Sequence, residues 1–308
     1  ATLGNFSAST GKPKSKKTFN VSAIVASALS GKEVLKYKAN LPECKNKILY
    51  IDTEQSKCHC HKVLHRILSL AGMPTDQEND RIEFFVLREY TPDQRRDIIR
   101  WALHEETNIG LVVIDGIRDL IHDINSPSES LDIINELMRW SSYYELHIHT
   151  VLHLNKGDDN TRGHVGTELN NKAETVLQIS KNMENGNISE VRAMHIRDKE
   201  FTPFAFEIGK DSLPHLVSDY QFKMNKRDKL TSYVDMTEQQ HRSALEIAFQ
   251  DGAVVGYQAL LDALKKGYDS IGYARGRNTL VNLCKFLLQH EAILKDGRGY
   301  SFNEKFNI

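Results

Sequence analysis

Residues 11–18 read GKPKSKKT: a glycine, five residues, then Lys17 and Thr18. Phosphate-binding loops of the pattern G-x-x-x-x-G-K-[ST] share this frame, but they have glycine where this chain has Lys16. Such a loop joins a strand to a helix and points backbone N–H groups at phosphate oxygens. In this frame the Lys17 ammonium bridges the terminal phosphates and the Thr18 hydroxyl binds Mg²⁺. The alternative is a lysine-rich surface loop.

The loop predicts ATP and Mg²⁺ as ligands. The expected nucleotide-binding residues are Gly11, Lys12, Lys14, Ser15, Lys16, Lys17 and Thr18. A side chain at position 16 in a backbone conformation that glycine adopts freely costs about 1–2 kcal/mol, which a folded core tolerates. Lys14 and Lys16 are also expected to add positive charge near the phosphates. We therefore predict that binding survives and that hydrolysis is slow or depends on assembly.

Composition narrows the class of protein. The 308 residues carry a net charge of −1, so any surface for a polyanion is local. No apolar run approaches the roughly 20 residues of a membrane span. The four cysteines are scattered, which favours a reducing cytoplasm over a disulfide framework. The chain begins at Ala1, close to the first motif, and we expect a further segment before it.

The hydrophobic pattern alternates strands and helices along residues 1–219. Strand-like runs are predicted at 3–8, 47–51, 82–86, 111–114, 147–153 and 173–179, and helices at 18–30, 56–71, 92–106 and 128–144. This order predicts an α/β fold with a mostly parallel twisted sheet and helices on both faces. Residues 188–196 and 204–208 read as an antiparallel hairpin at the sheet edge.

The pattern changes after a predicted basic linker at residues 220–235. Residues 236–308 contain three predicted helices, at 237–250, 255–265 and 276–291, and a hairpin at 292–302 with a glycine-rich turn. Three helices and a hairpin in about 70 residues favour a small winged-helix domain, one form of helix-turn-helix module.

Two carboxylates follow predicted strands of the first domain. Asp115 ends the apolar run 111–114, and Glu54 follows the run 47–51. Ligands of open parallel sheets bind outside the carboxyl ends of the strands. Asp115 is therefore placed to hold hydrated Mg²⁺, and Glu54 to orient a water molecule that attacks the γ-phosphate. The alternative for Glu54 is support of the helix that begins near Ser56, where negative charge is favourable.

The order of Gly11, Lys17-Thr18, Glu54 and Asp115 resembles the RecA-like ATPase core. Within it, the chain is most similar to RepA-type and DnaB-type hexameric helicases. It especially resembles ATPases carried by mobile elements of the Bacteroides group, which share a Gly-Lys-x-Lys-Ser-x-Lys-Thr-Phe loop. The resemblance covers about residues 2–210. It implies that Glu54 is the catalytic glutamate, that Lys17 is catalytic and that Asp115 lies beside Mg²⁺.

The same resemblance implies further roles. His153 or Asn155, at the end of the strand after Asp115, would sense the γ-phosphate; a structural hydrogen bond is the alternative for His153. The polar segment 156–166 resembles a mobile DNA-contacting loop, with Arg162 and His164 on phosphates, although an ordinary flexible loop explains its composition equally well.

The resemblance to hexameric helicases also implies that Arg197 is a finger supplied to the γ-phosphate by a neighbouring subunit, and hence a homo-oligomer that could be hexameric. This chain has His195 where those helicases have Lys. The alternative is a surface arginine paired with Asp198 or Glu200.

In the C-terminal domain, basic residues flank the third helix and the hairpin turn. Residues at the start of a recognition helix reach bases or phosphates, so we expect DNA, single-stranded or duplex, as the partner. The residues assigned to this contact are Arg275, Arg277, Lys295 and Arg298. The alternative is a domain that mediates protein contacts.

Two histidine groups are not expected to bind metal. The residues of Cys58-His59-Cys60-His61 point in different directions on a helix. His147, His149 and His153 share one parity along a strand, where structural roles are favoured.

The sequence thus favours an oligomeric ATPase that acts on DNA in replication, mobilisation or excision of a mobile element. The alternative is a non-enzymatic DNA-binding adaptor with a degenerate loop, and Lys16 motivates it.

Overall fold

The computed structural model describes residues 1–154, 163–182, 185–198, 201–218, 220, 222 and 232–306. The chain folds into two compact units, Ala1–Tyr220 and Gln221–Ile308. Most of the predicted basic linker, residues 220–235, lies outside the described residues. Within the described part, no helix is long and apolar enough to cross a membrane.

One nine-stranded sheet organises the first unit. Its strands are β1 (Phe6–Gly11), β2 (Lys47–Asp52), β3 (Ile82–Val86), β4 (Ile109–Asp115), β5 (His147–His153), β6 (Thr175–Lys181), β7 (Ile188–Ile196), β8 (Phe204–Ile208) and β9 (Pro214–Leu216). Their order across the sheet is β3-β2-β4-β5-β1-β6-β7-β8-β9. The first six strands in this order are parallel and the last three pairings are antiparallel. The mostly parallel α/β sheet predicted from the sequence is confirmed.

Among the described residues, five helices cover the two faces of this sheet. They are α1 (Lys17–Ser30), α2 (Lys57–Ala71), α3 (Pro92–Glu105), α4 (Pro127–Tyr143) and α5 (Gly163–Lys172). Alternate residues of one strand face opposite sides, so Tyr50 packs with α1 and α2, whereas Ile51 packs with α3, α4 and α5. Every residue of β4 is buried, as expected of a parallel strand covered on both faces.

The structure corrects the sequence-based boundaries at the loop. The first strand is Phe6–Gly11 rather than residues 3–8, so the sheet runs directly into the phosphate loop. Between β4 and α4, Ile117–Leu120 form a 3-10 helix whose Ile117 and Leu120 are buried. The polar segment predicted at 156–166 overlaps helix α5, which begins at Gly163.

A buried polar chain joins β1 to β5. His147 Nδ1 lies 2.9 Å from the Thr2 carbonyl oxygen and must donate to it, so His147 Nε2 accepts from the Ser7 hydroxyl. Ser7 then accepts from His149 Nδ1, and His149 Nε2 accepts from Ser9. Burial lowers the pKa of His149 to about 3, so both imidazoles are structural and neutral at pH 7.

The second unit contains α6 (Glu238–Ala248), β10 (Val254–Val255), α7 (Tyr257–Ser270), α8 (Arg277–Gln289), β11 (Ile293–Asp296) and β12 (Gly299–Phe302). The three strands form an antiparallel sheet in the order β10-β12-β11. Gly267 of α7 lets the helix approach α6 so closely that an added Cβ would lie 2.2 Å from the Ala244 carbonyl oxygen. The predicted helices and hairpin are present with shifted ends, and β10 was not predicted.

Candidate functional site

The phosphate loop connects the end of β1 to the start of α1. Lys16 is the N-cap residue of α1, with φ 68° and ψ 31°, and Lys14 is also left-handed with φ 64°. The backbone at position 16 is therefore the one that glycine supplies in the usual loop, and lysine adopts it here at a cost of about 1–2 kcal/mol. The loop turns back on itself through a bond from Ser15 N–H to the Lys12 carbonyl oxygen, 3.2 Å long.

The Lys16 side chain leaves the loop. Its ammonium donates to the carbonyl oxygen of Asn187, in the turn between β6 and β7. Burial and the nearby Lys181 lower its pKa. In this conformation the Lys16 ammonium is engaged on the β6–β7 turn, and its contribution of charge at the phosphates stays a prediction. Lys14 is exposed on the loop.

Lys17 is buried at the centre of the loop. Its Nζ donates to the carbonyl oxygens of Gly11 at 2.9 Å and Lys12 at 3.1 Å, and to Nδ1 of His153 at 3.0 Å. Burial lowers the Lys17 pKa to about 8, against the opposing effects of Asp115 and Glu54. The amine is thus mostly charged at pH 7, yet close enough to its pKa to lose the proton under mildly basic conditions.

Thr18 and Asp115 meet across the start of α1 and the end of β4. The Thr18 hydroxyl donates to Asp115 Oδ2 at 3.1 Å, and the Tyr50 hydroxyl donates to the same oxygen at 3.1 Å. Burial, helped by Asp52, raises the Asp115 pKa to about 6. A nearby cation would stabilise the ionised form of this buried carboxylate, because the cation offsets the cost of burying its negative charge.

Glu54 lies in the turn after β2. The Asp52 carboxylate accepts from the N–H groups of Glu54 at 3.0 Å and Gln55 at 2.7 Å, which fixes the turn. Glu54 Oε1 is 3.3 Å from His153 Nε2, and its side chain is 46% exposed. The bond from His153 is the main cause of a lowered Glu54 pKa. Glu54 is therefore an ionised, accessible carboxylate that can accept a proton.

His153 connects these groups. Because Lys17 donates to Nδ1, Nε2 carries the proton that faces Glu54. One imidazole thus touches both the loop lysine and the proposed base. Tyr50 and Asp52 also belong to the site, but sequence reasoning did not assign them. Tyr50 and Asp52 are two residues apart and therefore lie on the same face of β2, which the sequence could have indicated. The sequence could not indicate that β2 pairs with β4, which brings both residues close to Asp115.

The residues fit a triphosphate with Mg²⁺. A Cβ at Gly11 would lie 2.3 Å from the Ile179 carbonyl oxygen and 2.5 Å from Ser15 Oγ, so only glycine fits there. Ser15 Oγ is buried without a hydrogen-bond partner, which suits a hydroxyl that a ligand engages. The Thr18 hydroxyl and Asp115 carboxylate offer the hard oxygen atoms that Mg²⁺ prefers.

Arg197 lies far from the loop of its own chain. It follows Ile196, which pairs with Thr175, and Thr175 pairs with Ser7 near the start of β1. Gly11 is four residues further along β1, roughly 13 Å away in strand length. The Arg197 guanidinium donates to the carbonyl oxygens of Lys172 at 3.1 Å and Asn171 at 3.4 Å, at the end of α5. Arg197 therefore lies at the amino-terminal ends of the parallel strands, whereas the loop lies at their carboxyl ends.

The remaining predicted residues lie apart. His164 is exposed in the first turn of α5, not in a loop, whereas Asn155 and Arg162 lie outside the described residues. Cys58 and Cys60 are on α2, one exposed and one buried, and the described residues contain no metal-binding cluster.

The basic residues of the second unit surround α8 and the β11–β12 turn. Arg277 is exposed in the first turn of α8, and the Arg275 guanidinium lies 4.4 Å from the centre of the Tyr273 ring. Lys295 on β11 and Arg298 in the turn are both exposed. These four side chains therefore belong to two neighbouring segments of one small unit.

Comparison with known proteins adds a family. A family model described as AAA domain matches residues 2–159, just over half of the chain. A search of curated proteins finds no match. Among solved structures, the chain is similar to one titled "Crystal structure of the RadB recombinase", with 17% sequence identity, 68% of this chain and 90% of that chain covered, and a TM-score of 0.49.

Proposed function

We propose, on the premise that the chain belongs to the AAA-domain family of ATPases, that it binds and hydrolyses ATP as a RecA-like oligomer acting on DNA. One observation carries the proposal. Lys17, Thr18, His153, Glu54 and Asp115 lie together at the carboxyl ends of the parallel strands, joined by hydrogen bonds of 3.0–3.3 Å.

Each of these residues has a place in phosphoryl transfer. Lys17 would bind the terminal phosphates, and Thr18 with Asp115 would hold Mg²⁺, which supplies charge neutralisation at the phosphate oxygens. Glu54 would orient the attacking water and accept its proton, since its carboxylate is ionised and accessible. His153 lies between Lys17 and Glu54, so it would transmit a change at the phosphate-binding lysine to the base.

Arg197 is the residue that leads us to propose an oligomer. Arg197 lies at the other end of the strands from the loop of its own chain. We therefore propose that it acts on the loop of another copy. An arginine supplied in this way stabilises transition-state charge and is worth about 10³–10⁵ in rate where it has been measured. We propose that turnover requires assembly, as the resemblance to ring helicases implies. The proposed role in replication, mobilisation or excision of a mobile element rests on that resemblance alone.

The second unit is the proposed DNA-binding module, of winged-helix type. Arg275, Arg277, Lys295 and Arg298 would contact phosphates or bases from α8 and the β11–β12 turn. Arg277→Ala is then expected to weaken DNA binding and to reduce the slope of log affinity against log salt by about one. Lys32→Ala, which removes an exposed cation from the first unit, serves as the control.

Turnover measurements test the enzyme proposal. ATP hydrolysis is measured across protein concentrations, with and without single-stranded and duplex DNA, for the wild type and Glu54→Gln. Glu43→Gln is the matched control, because Glu43 is an exposed carboxylate at the other edge of the sheet. The proposal is supported if Glu54→Gln loses ATP turnover and Glu43→Gln retains it. DNA binding that ignores nucleotide, with no turnover in any assembly, supports the adaptor with a degenerate loop instead.

A further inference from the structure

Arg95 of α3 contacts three loops at the edge of the sheet where Glu54 lies. The helix begins after a capping box at Thr91, which places Arg95 in its first turns beside the strand ends. Its Nε donates to the Leu87 carbonyl oxygen at 2.9 Å, and its Nη2 to the Arg88 carbonyl oxygen at 3.0 Å; both acceptors follow β3.

The other contacts of Arg95 reach the loops after β2 and β4. Nη2 also lies 3.4 Å from the Thr53 carbonyl oxygen, and Nη1 donates to the Asp119 carbonyl oxygen at 2.6 Å. A single planar guanidinium thus joins the loops that follow three neighbouring strands. The half-buried side chain has four backbone acceptors here. A lysine has a point-like ammonium and cannot copy this fork.

The loop held through Thr53 is the one that carries Glu54. Thr53 directly precedes it, and the Thr53 hydroxyl accepts from Gly116 N–H at 3.0 Å and lies 2.9 Å from Asp119 Oδ2. Thr53 N–H also donates to the Asp115 carbonyl oxygen at 2.9 Å. Arg95 and Thr53 therefore tie the turn that presents Glu54 to the segment that follows Asp115.

We propose that Arg95 is a positioning residue that fixes the Glu54 turn relative to Asp115. It acts through backbone carbonyl groups and touches neither the phosphate loop nor Lys17. The inference rests on the proposed function, since it assigns Glu54 the role of base. A displacement of about 1 Å at a catalytic group can lower turnover about 100-fold, so loosening this turn affects the chemical step more than ATP binding.

Arg95→Lys in the full chain tests the inference, with Arg96→Lys as the matched control. Arg96 is the next residue on the same helix, and its guanidinium pairs with Asp93 of that helix. We expect Arg95→Lys to lower kcat by about 10- to 100-fold while the equilibrium affinity for a fluorescent ATP analogue changes less than about threefold. Arg96→Lys should change neither quantity.

A double-mutant cycle with Glu54→Gln separates positioning from general damage. Because both substitutions act on the same step, Arg95→Lys should cause little further loss in the Glu54→Gln background. Additive losses, an equal loss of nucleotide affinity, or wild-type kcat in Arg95→Lys would each overturn the inference. If the wild type itself shows no turnover and Glu54→Gln has no effect, the proposed function fails and the catalytic role of Arg95 fails with it.

Hydrogen exchange of backbone amides tests the same contacts without a measurement of ATP turnover. The N–H groups of Thr53, Leu87 and Gly116 are bonded to Asp115 O, Asp52 O and Thr53 Oγ respectively. Arg95→Lys should speed exchange in the peptides that contain them, and Arg96→Lys should not. Unchanged exchange would show that Arg95 does not hold the turn, whatever the enzyme does with ATP.

Discussion

The left-handed backbone at Lys16 makes a quantitative prediction about Lys16→Gly and Lys16→Ala. Both substitutions remove the ammonium contact with Asn187, so that contact cancels when the two variants are compared. Alanine keeps the left-handed cost of about 1–2 kcal/mol, and glycine avoids it. Glycine instead loses about 0.4–1 kcal/mol through the greater freedom of its unfolded chain. We expect the glycine variant to be more stable than the alanine variant by about 0.5–1 kcal/mol.

Tryptophan fluorescence during thermal unfolding measures this difference in stability for the first unit, which contains position 16. The two tryptophans of the chain, Trp101 and Trp140, both belong to the first unit, and Trp140 is buried. The expected difference corresponds to about 1–4 °C in Tm for a unit of this size. A reversible urea transition with a constant m-value provides an independent measure of the same difference.

Lys62 provides the control because it is an exposed lysine inside α2. In an ordinary helix position, Lys62→Gly should be less stable than Lys62→Ala by about 1 kcal/mol. The sign of the glycine–alanine difference should therefore reverse between positions 62 and 16. If alanine is also better at position 16, the left-handed assignment and the strain argument built on it are refuted.

Three other substitutions give outcomes of known sign. The pKa of Asp115 is raised to about 6 in the folded protein, so ionising its carboxyl group costs stability. As pH rises from about 4 to 6, the free energy of unfolding of the wild type should therefore fall relative to that of Asp115→Asn, and the difference should stay constant above about pH 6. Urea midpoints measure this difference. Affinity for an ATP analogue should decrease as pH rises through about 8, where Lys17 loses its proton, and Lys17→Gln should show a flat, weaker profile. Gly267→Ala should destabilise the second unit by about 1–3 kcal/mol in circular dichroism, because its Cβ meets the Ala244 carbonyl oxygen, and leave the tryptophan transition unchanged.

The sequence predicted the sheet and the edge where the candidate site lies. The apolar run before Asp115 and the run before Glu54 required buried parallel strands, and such strands end at a common edge. That reasoning placed Lys17, Glu54 and Asp115 near one another. It assigned no partner to Glu54 and left a structural role open for His153, because these contacts depend on side-chain directions that only the folded loops define.

Other features depended on contacts between distant parts of the chain. Helix α5 contains two glycines and two asparagines, so its propensity is weak, and it is stabilised by Val165 and Leu169 in the core. Lys16 reaches Asn187, 171 residues away, where no local pattern could place it. The winged-helix assignment and the DNA contacts of the second unit stay predictions.

The positions of Gly11 and Arg197 at opposite ends of the parallel strands have a consequence for symmetry. If Arg197 of one copy completes the loop of the next through a head-to-tail interface, two different surfaces meet there, and a two-fold axis does not relate the copies. A pair of chains would then keep one loop and one arginine unused, and growth would continue until a ring closes or a filament forms. The smallest fully active species would be that closed ring, and an isolated dimer could have at most one completed site.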